Sequence, residues 1–313
     1  MKYIFFGTPE FAEIVLEKLI NAGYIPEAIV CNPDELVGRK KILTPPPTKI
    51  LAEKYGINIL QPEILTNYKL QITNYNPDLA IVAAYGKIIP QNILTLPHYG
   101  TMNVHPSLLP KYRGASPIQN AILNGDKKTG VTIMKLDEEM DHGKIISSIK
   151  YQISKIDTYE SLSQKLAILG AELLIKTIPD YVSGKIKPIE QKHSKATYTK
   201  IIKKEYGKID WSKSAEEIER ITRAFYPWPS AWTIWNKKLL KIIEVKISKE
   251  KYYQTGEVFL NKNNRLAIKC SESSLIVEKL QLEGGKILSV KEFLNGHKDF
   301  VGAVLPFPAA TLE

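Results

Sequence analysis

The chain has 313 residues, 44% hydrophobic and 24% charged, and its 43 Lys/Arg against 33 Asp/Glu give a formal net charge of +10. That size and balance suit roughly two globular domains of about 150 residues each, and no stretch reaches the ~20 apolar residues of a membrane span. Two cysteines, Cys31 and Cys270, lie far apart with no spacing motif, which argues against a disulfide framework or a metal site and suits a reduced, cytoplasmic protein.

The N-terminal apolar run "MKYIFFGTPEF" is too short for a signal peptide. Residues 2–6 read as a buried strand, Gly7 turns the chain, Thr8 is placed to cap a helix, and Pro9 suits its first position. Phe11, Val15, Leu19 and Ile20 then recur at helical spacing until Gly23. "EAIVCN" (27–32) and "LAIVAAY" (79–85) are strands, the second apolar enough to be covered on both faces. "TMNVH" (101–105) is another strand, Ser116 and Pro117 start a short helix that Gly125 ends, and "GVTIMKL" (130–136) follows as a strand. Such alternation predicts a Rossmann-like, mostly parallel sheet with right-handed crossovers.

A long helix is expected over 157–184, capped by Asp157 or Thr158 and closed by Gly184. Periodicity then dissolves, so the reading is an α/β domain over 1–189, a basic linker over 190–208, and a second domain over 209–313. That last part has one helix (211–225) and several short strands, which suggests a small β-barrel. "FYPWPSAWTIW" (225–235) reads as domain core or interdomain packing rather than a base-stacking surface. Residues 190–313 hold 22 Lys/Arg against 15 Asp/Glu, or +7, whereas residues 1–189 hold 21 against 18, or +3. The excess fits either solvated lysines or a polyanionic partner.

The first strand–helix turn has Gly7 but not the further glycines of G-x-G-x-x-G, and Glu10 stands where a phosphate would bind. NAD and FAD are therefore rejected. A different constellation stands out. Asn103 and His105 are two apart on a strand and so emerge on one face. If strand 130–136 runs parallel to 101–105, its loop brings Asp141 to the same sheet edge. Each residue has a structural alternative: a hydrogen-bonded histidine, a turn-capping asparagine, an Asx-turn aspartate. As a set, Asn103 and His105 are donors for a developing oxyanion, and Asp141 can orient the imidazole. No Ser, Cys or Lys is positioned as a covalent nucleophile, so direct acyl transfer to a substrate amine is the chemistry that fits.

"MNVHPSLLPKYRGASPIQ" together with "GVTIMKLDEEMDHGKI" resembles the folate-dependent formyltransferase family. With "FFGTPEFA", "GRKKILTPPPTKILAEKYGI" and "AFYPWPSAWT" the likeness runs from end to end. The resemblance implies formyl transfer from 10-formyltetrahydrofolate to the amino group of initiator methionyl-tRNA. Asn103, His105 and Asp141 would be its catalytic set, and Ser107, Leu108, Leu109 and Pro110 its folate contacts. Arg39, Lys40 and Lys41, on a long loop over 33–48, would reach the acceptor end of the tRNA. Lys203 and Lys204 with the basic C-terminal domain, OB-like by this resemblance, would follow the phosphate backbone. Nothing demands more than a monomer. The family usually carries a small residue where this chain has His142, which is expected to face solvent. The competing readings are a family member acting on a small amine and a non-catalytic RNA-binding protein.

Overall fold

The computed structural model describes residues 1–38, 41–250 and 253–306. It divides into two compact units: Met1–Pro117, Lys127–Ile153 and Leu162–Lys200 form one, and Ile118–Asp126, Ser154–Ser161 and the chain from Ile201 onward the other. No helix among the described residues is long and apolar enough to cross a membrane.

The chain opens with β1 (Tyr3–Gly7), α1 (Glu10–Asn21) and β2 (Ala28–Val30). A hairpin of β3 (Glu35–Val37) and β4 (Ile42–Thr44) intervenes before α2 (Pro47–Tyr55) and β5 (Asn58–Leu60). Then come α3 (Lys69–Asn74), β6 (Leu79–Ala83), α4 (Gln91–Leu94) and β7 (Thr101–His105). β8 (Arg113–Gly114), α5 (Pro117–Leu123), β9 (Lys128–Lys135), β10 (Ile145–Gln152), α6 (Tyr159–Val182) and β11 (Tyr198–Thr199) follow.

Seven strands form one sheet in the order β10-β9-β7-β6-β1-β2-β5. The five from β7 to β5 are parallel. β1 and β6 are buried along their whole length, as their unbroken apolar sequences predict. Ile4, Phe6, Val30, Ala80 and Val82 pack with Ile72, Ile93 and Leu94 in one apolar cluster. α6 approaches the sheet closely at Gly170, where a Cβ would lie 2.7 Å from Val104 Cγ1 and 3.1 Å from Val131 Cγ1.

One expectation is overturned here. β9 is antiparallel to β7, pairing Met102 with Lys135 and His105 with Thr132. The seven residues of α5 rise about 10 Å, too short to carry the chain back along a five-residue strand of about 17 Å. β9 therefore starts from the end where β7 stopped. β10, which the sequence reading missed, pairs antiparallel with β9 and alternates in burial as an edge strand does.

The expected linker is also built differently. β11 pairs in parallel with β8, so residues up to Lys200 belong to the first unit. In the second unit, Ser214 and Glu217 form a capping box at the start of α7 (Ala215–Ala224). An antiparallel sheet runs β12 (Ala231–Trp235), β13 (Lys238–Ser248), β16 (Ser274–Leu282), β15 (Leu266–Lys269), β14 (Val258–Leu260). β17 (Leu288–Ser289) and α8 (Val290–Gly296) follow it. The curled sheet closes as a half-barrel over Ile209, Trp211, Ile218, Leu240, Ile268 and Phe293. Trp235 joins that core beside Phe300, whereas Trp228 is 56% exposed, contrary to the packing role expected for it. It stands in the turn between α7 and β12, where no strand pairing covers it.

Gly170→Leu forces a branched side chain into the contact between α6 and β7. Overpacking of this kind costs about 1–3 kcal/mol, so the midpoint of thermal unfolding, followed by calorimetry, should fall by several degrees.

Candidate active site

Asn103 and His105 share one face of β7, and Val104 between them turns to the opposite face against Gly170. Both polar residues are buried, at 8% and 4% exposure. Asp141 does reach them, though not by the route expected. β9 ends opposite Met102, and the Leu136 N–H bonds Thr101 O. Residues 136–144 then lie over the polar face of β7. Asn103 Nδ2 is 3.5 Å from Asp141 Oδ1, and His105 Nδ1 is 3.7 Å from the same oxygen. The other oxygen, Oδ2, accepts the Gly114 N–H at 2.6 Å.

The orientation of His105 follows from its far nitrogen. Nε2 lies 2.9 Å from Tyr112 O, and a carbonyl only accepts, so Nε2 carries the proton. Nδ1, facing Asp141, is left for proton exchange. Asp141 itself has φ of +48°, a left-handed conformation that costs a non-glycine residue about 1–3 kcal/mol and persists only where its surroundings hold it. Gly143 helps to hold it: a Cβ there would sit 1.8 Å from Lys135 O, so only glycine lets the loop fold back so tightly.

"SLLP" is a braced turn leading away from His105. Ser107 is fully buried, its Oγ donates to Lys111 O at 2.6 Å and its N–H to His105 O, and its carbonyl accepts from Thr132 Oγ1. Thr132 Oγ1 also accepts the Leu109 N–H. Ser107 is thus consumed internally, while Leu108 and Pro110 are half-exposed and Leu109 is 8% exposed. The Leu109–Pro110 bond is cis.

Thr8 does not cap α1, whose N-cap position Pro9 fills. Its hydroxyl instead ties strand ends together, accepting from Asn32 N at 3.2 Å and donating to Tyr85 O at 3.5 Å. These residues follow β1, β2 and β6, and the gap between β1 and β6 is where the strand order reverses, the usual ligand crevice of such sheets. Asn32 Oδ1 and Tyr85 Oη are buried with no hydrogen-bond partner among the described residues. Burial pushes the Tyr85 hydroxyl up to about 12, so it stays a neutral donor. Both cysteine thiols are buried and pushed up by that burial, Cys31 to about 11 and Cys270 to about 12, so neither is a nucleophile.

His142, expected to face solvent, is half-buried. Its ring stacks on His193 with centroids 4.1 Å apart, and its Nδ1 is 2.7 Å from Asp137 Oδ2. Two residues that the sequence reading missed lie beneath this loop. Arg113 is 1% exposed and Gln191 4%. Nothing in the sequence marks them, because a buried arginine and a buried glutamine become visible only through their partners.

The candidate RNA contacts are spread along the chain. Arg39 and Lys40 lie outside the described residues. Lys41 is exposed at the turn of the β3–β4 hairpin, with φ of +48°. Leu36, Val37, Ile42 and Leu43 on that hairpin are each more than half exposed. Lys203 and Lys204 are exposed and make no ion pair among the described residues.

Residues 1–178 match the family model described as formyl transferase, and residues 201–298 that of the formyl transferase C-terminal domain. The methionyl-tRNA formyltransferase of Caldanaerobacter subterraneus subsp. tengcongensis is 41% identical over 97% of this chain and 100% of its own length. That of Bacillus velezensis is 42% identical over 97% of each. Among solved structures, an N-formyltransferase from Helicobacter canadensis in complex with folinic acid and dTDP-3-aminofucose shares the fold. Its TM-score is 0.65 at 20% identity, over 88% of this chain and 98% of that one. HypX from Aquifex aeolicus with tetrahydrofolic acid also aligns, with TM-score 0.65 at 16% identity over 95% of this chain, which spans about half (47%) of HypX. With both family models matched in order and relatives above 40% identity along their whole length, the chain belongs to the formyl transferase family, among the methionyl-tRNA formyltransferases.

Proposed function

We propose that this chain moves the formyl group of 10-formyltetrahydrofolate onto the amino group of initiator methionyl-tRNA, as a cytoplasmic monomer with Asn103, His105 and Asp141 as its catalytic set. The observation that carries the reading is an Asp141 carboxylate facing both Asn103 and His105, in a chain that matches methionyl-tRNA formyltransferases end to end.

In this reading the methionyl nitrogen attacks the formyl carbon, and the carbonyl oxygen takes up negative charge. Asn103 Nδ2 donates to that oxygen, and a proton on His105 Nδ1 supplies a second donor beside the Asp141 carboxylate. Each such donor is worth about 10²–10³ in rate. As the tetrahedral centre collapses, the bond from carbon to N10 breaks. The Asp141 carboxylate takes the proton lost by the attacking amine, the His105 Nδ1 proton passes to the departing N10, and Asp141 then returns its proton to His105 Nδ1. The protein supplies no covalent nucleophile, so much of the acceleration comes from positioning.

Leu108, Leu109 and Pro110 offer an apolar wall to a flat pterin, while Ser107 serves the turn rather than the ligand through its side chain. The unpartnered Tyr85 Oη and Asn32 Oδ1 suit a heterocycle edge that both accepts and donates. The tRNA is held by Arg39, Lys40, Lys41, Lys203 and Lys204. The exposed apolar residues of the β3–β4 hairpin suit contact with base faces.

His105→Ala should lower kcat for formylation of methionyl-tRNA by about 10²–10³-fold, with little change in KM for the tRNA. Steady-state assay with saturating formyl donor reads this directly, and near-normal turnover would remove His105 from the set. Affinity for the tRNA should fall steeply with salt. Replacing Lys203 and Lys204 by Ala should reduce the log–log salt slope by about one per lysine removed. Folate binding should not change, and equal losses for both ligands would argue against an RNA role.

A further inference from the structure

Gln191 grips the loop that carries Asp141. It lies in the segment after α6, is almost fully buried, and uses every polar group of its side chain. Its Nε2 donates to Asp141 O at 2.9 Å and to Gly143 O at 2.7 Å, bracketing His142. Its Oε1 accepts from Arg113 Nε at 3.2 Å and Nη2 at 2.8 Å. The amide has only one workable orientation, because a guanidinium only donates and a backbone carbonyl only accepts. Arg113 is fixed in turn by Tyr198 Oη and His193 Nδ1. Its backbone continues into Gly114, whose N–H binds the Asp141 carboxylate.

A closed circuit results: the Asp141 side chain is tied to the backbone beside Arg113, and the Asp141 carbonyl is tied through Gln191 to the Arg113 side chain. Two donations to carbonyls two residues apart are what hold a turn whose first residue has φ of +48°. We propose that Gln191 is a positioning residue for the transfer, holding the left-handed turn that aims Asp141 at Asn103 and His105, with Arg113 as its buried anchor. This rests on the proposed catalytic set.

The competing explanation is that Gln191 only satisfies the buried guanidinium. Gln191→Glu separates the two. A carboxylate keeps and strengthens the bond to Arg113 but presents an oxygen to the Asp141 and Gly143 carbonyls. Gln191→Leu removes both contacts. The test measures kcat with methionyl-tRNA, KM for 10-formyltetrahydrofolate, and thermal melting for the wild-type chain and both variants. The positioning role requires kcat to fall about 10²-fold in Gln191→Glu, with KM for the formyl donor unchanged and melting no lower than wild type. Gln191→Leu should lose at least as much kcat. Wild-type kcat in Gln191→Glu, or a loss that appears only with a parallel loss of melting temperature and donor KM, overturns it. A wild-type chain that cannot formylate methionyl-tRNA overturns the catalytic reading and this one together. An active wild type with an equally active Gln191→Glu variant overturns this one alone.

Discussion

The geometry of the site depends on the two oxygens of one carboxylate having separate duties. Asp141 Oδ2 is anchored to the Gly114 N–H, which leaves Oδ1 to face Asn103 and His105. Anchoring one oxygen fixes where the other points. The backbone at Asp141 is in a conformation it would not choose alone, so the surrounding loop must impose it. Gly143 against Lys135 O and the amide of Gln191 both do so. The strained residue and the reactive-looking residue are the same one, and the cost of the turn is distributed over neighbours that never meet a ligand.

The side chains that could act as covalent nucleophiles are out of play. The two thiols are buried and pushed up, Ser107 Oγ is spent on Lys111 O, and the His105 ring is tethered through Nε2 to Tyr112 O. What remains is a face of donors and one acceptor. Such a face suits a reaction between two bound molecules, where a carbonyl becomes an oxyanion and an amine gives up a proton. The sheet makes this economical: β7 delivers two side chains to one face by its period of two, and a single loop delivers the third.

The two units divide the physical tasks by composition. In the first, strands apolar on both faces build a sheet whose reversal point leaves polar groups unpartnered at its edge. In the second, a curled antiparallel sheet packs around Trp211 and Phe293, and residues 190–313 hold 22 Lys/Arg against 15 Asp/Glu. Charge of this kind adds affinity for any polyanion without sequence discrimination. Under the proposed function, discrimination among RNAs would fall to the β3–β4 hairpin, with its exposed apolar side chains and Lys41 at the turn.

The residues alone determined much of this. Apolar runs marked β1, β6 and the half-buried strands of the second unit, a capping residue and Gly184 marked the ends of α6, and the i, i+2 spacing put Asn103 with His105. Their types also limited the chemistry to donors, a base and no covalent nucleophile. Local periodicity carries that information because it reflects which face of each element meets the core. The direction of β9, the return of Asp141 over β7, the docking of Gln191 and Tyr198 on Arg113 and the redirected hydroxyl of Thr8 were decided only in three dimensions. Each depends on contacts between residues far apart in the chain, such as Gly114 with Asp141 or Gln191 with Arg113. A hydrogen bond of that kind leaves no period in the sequence, because its partners are chosen by the packing of whole elements.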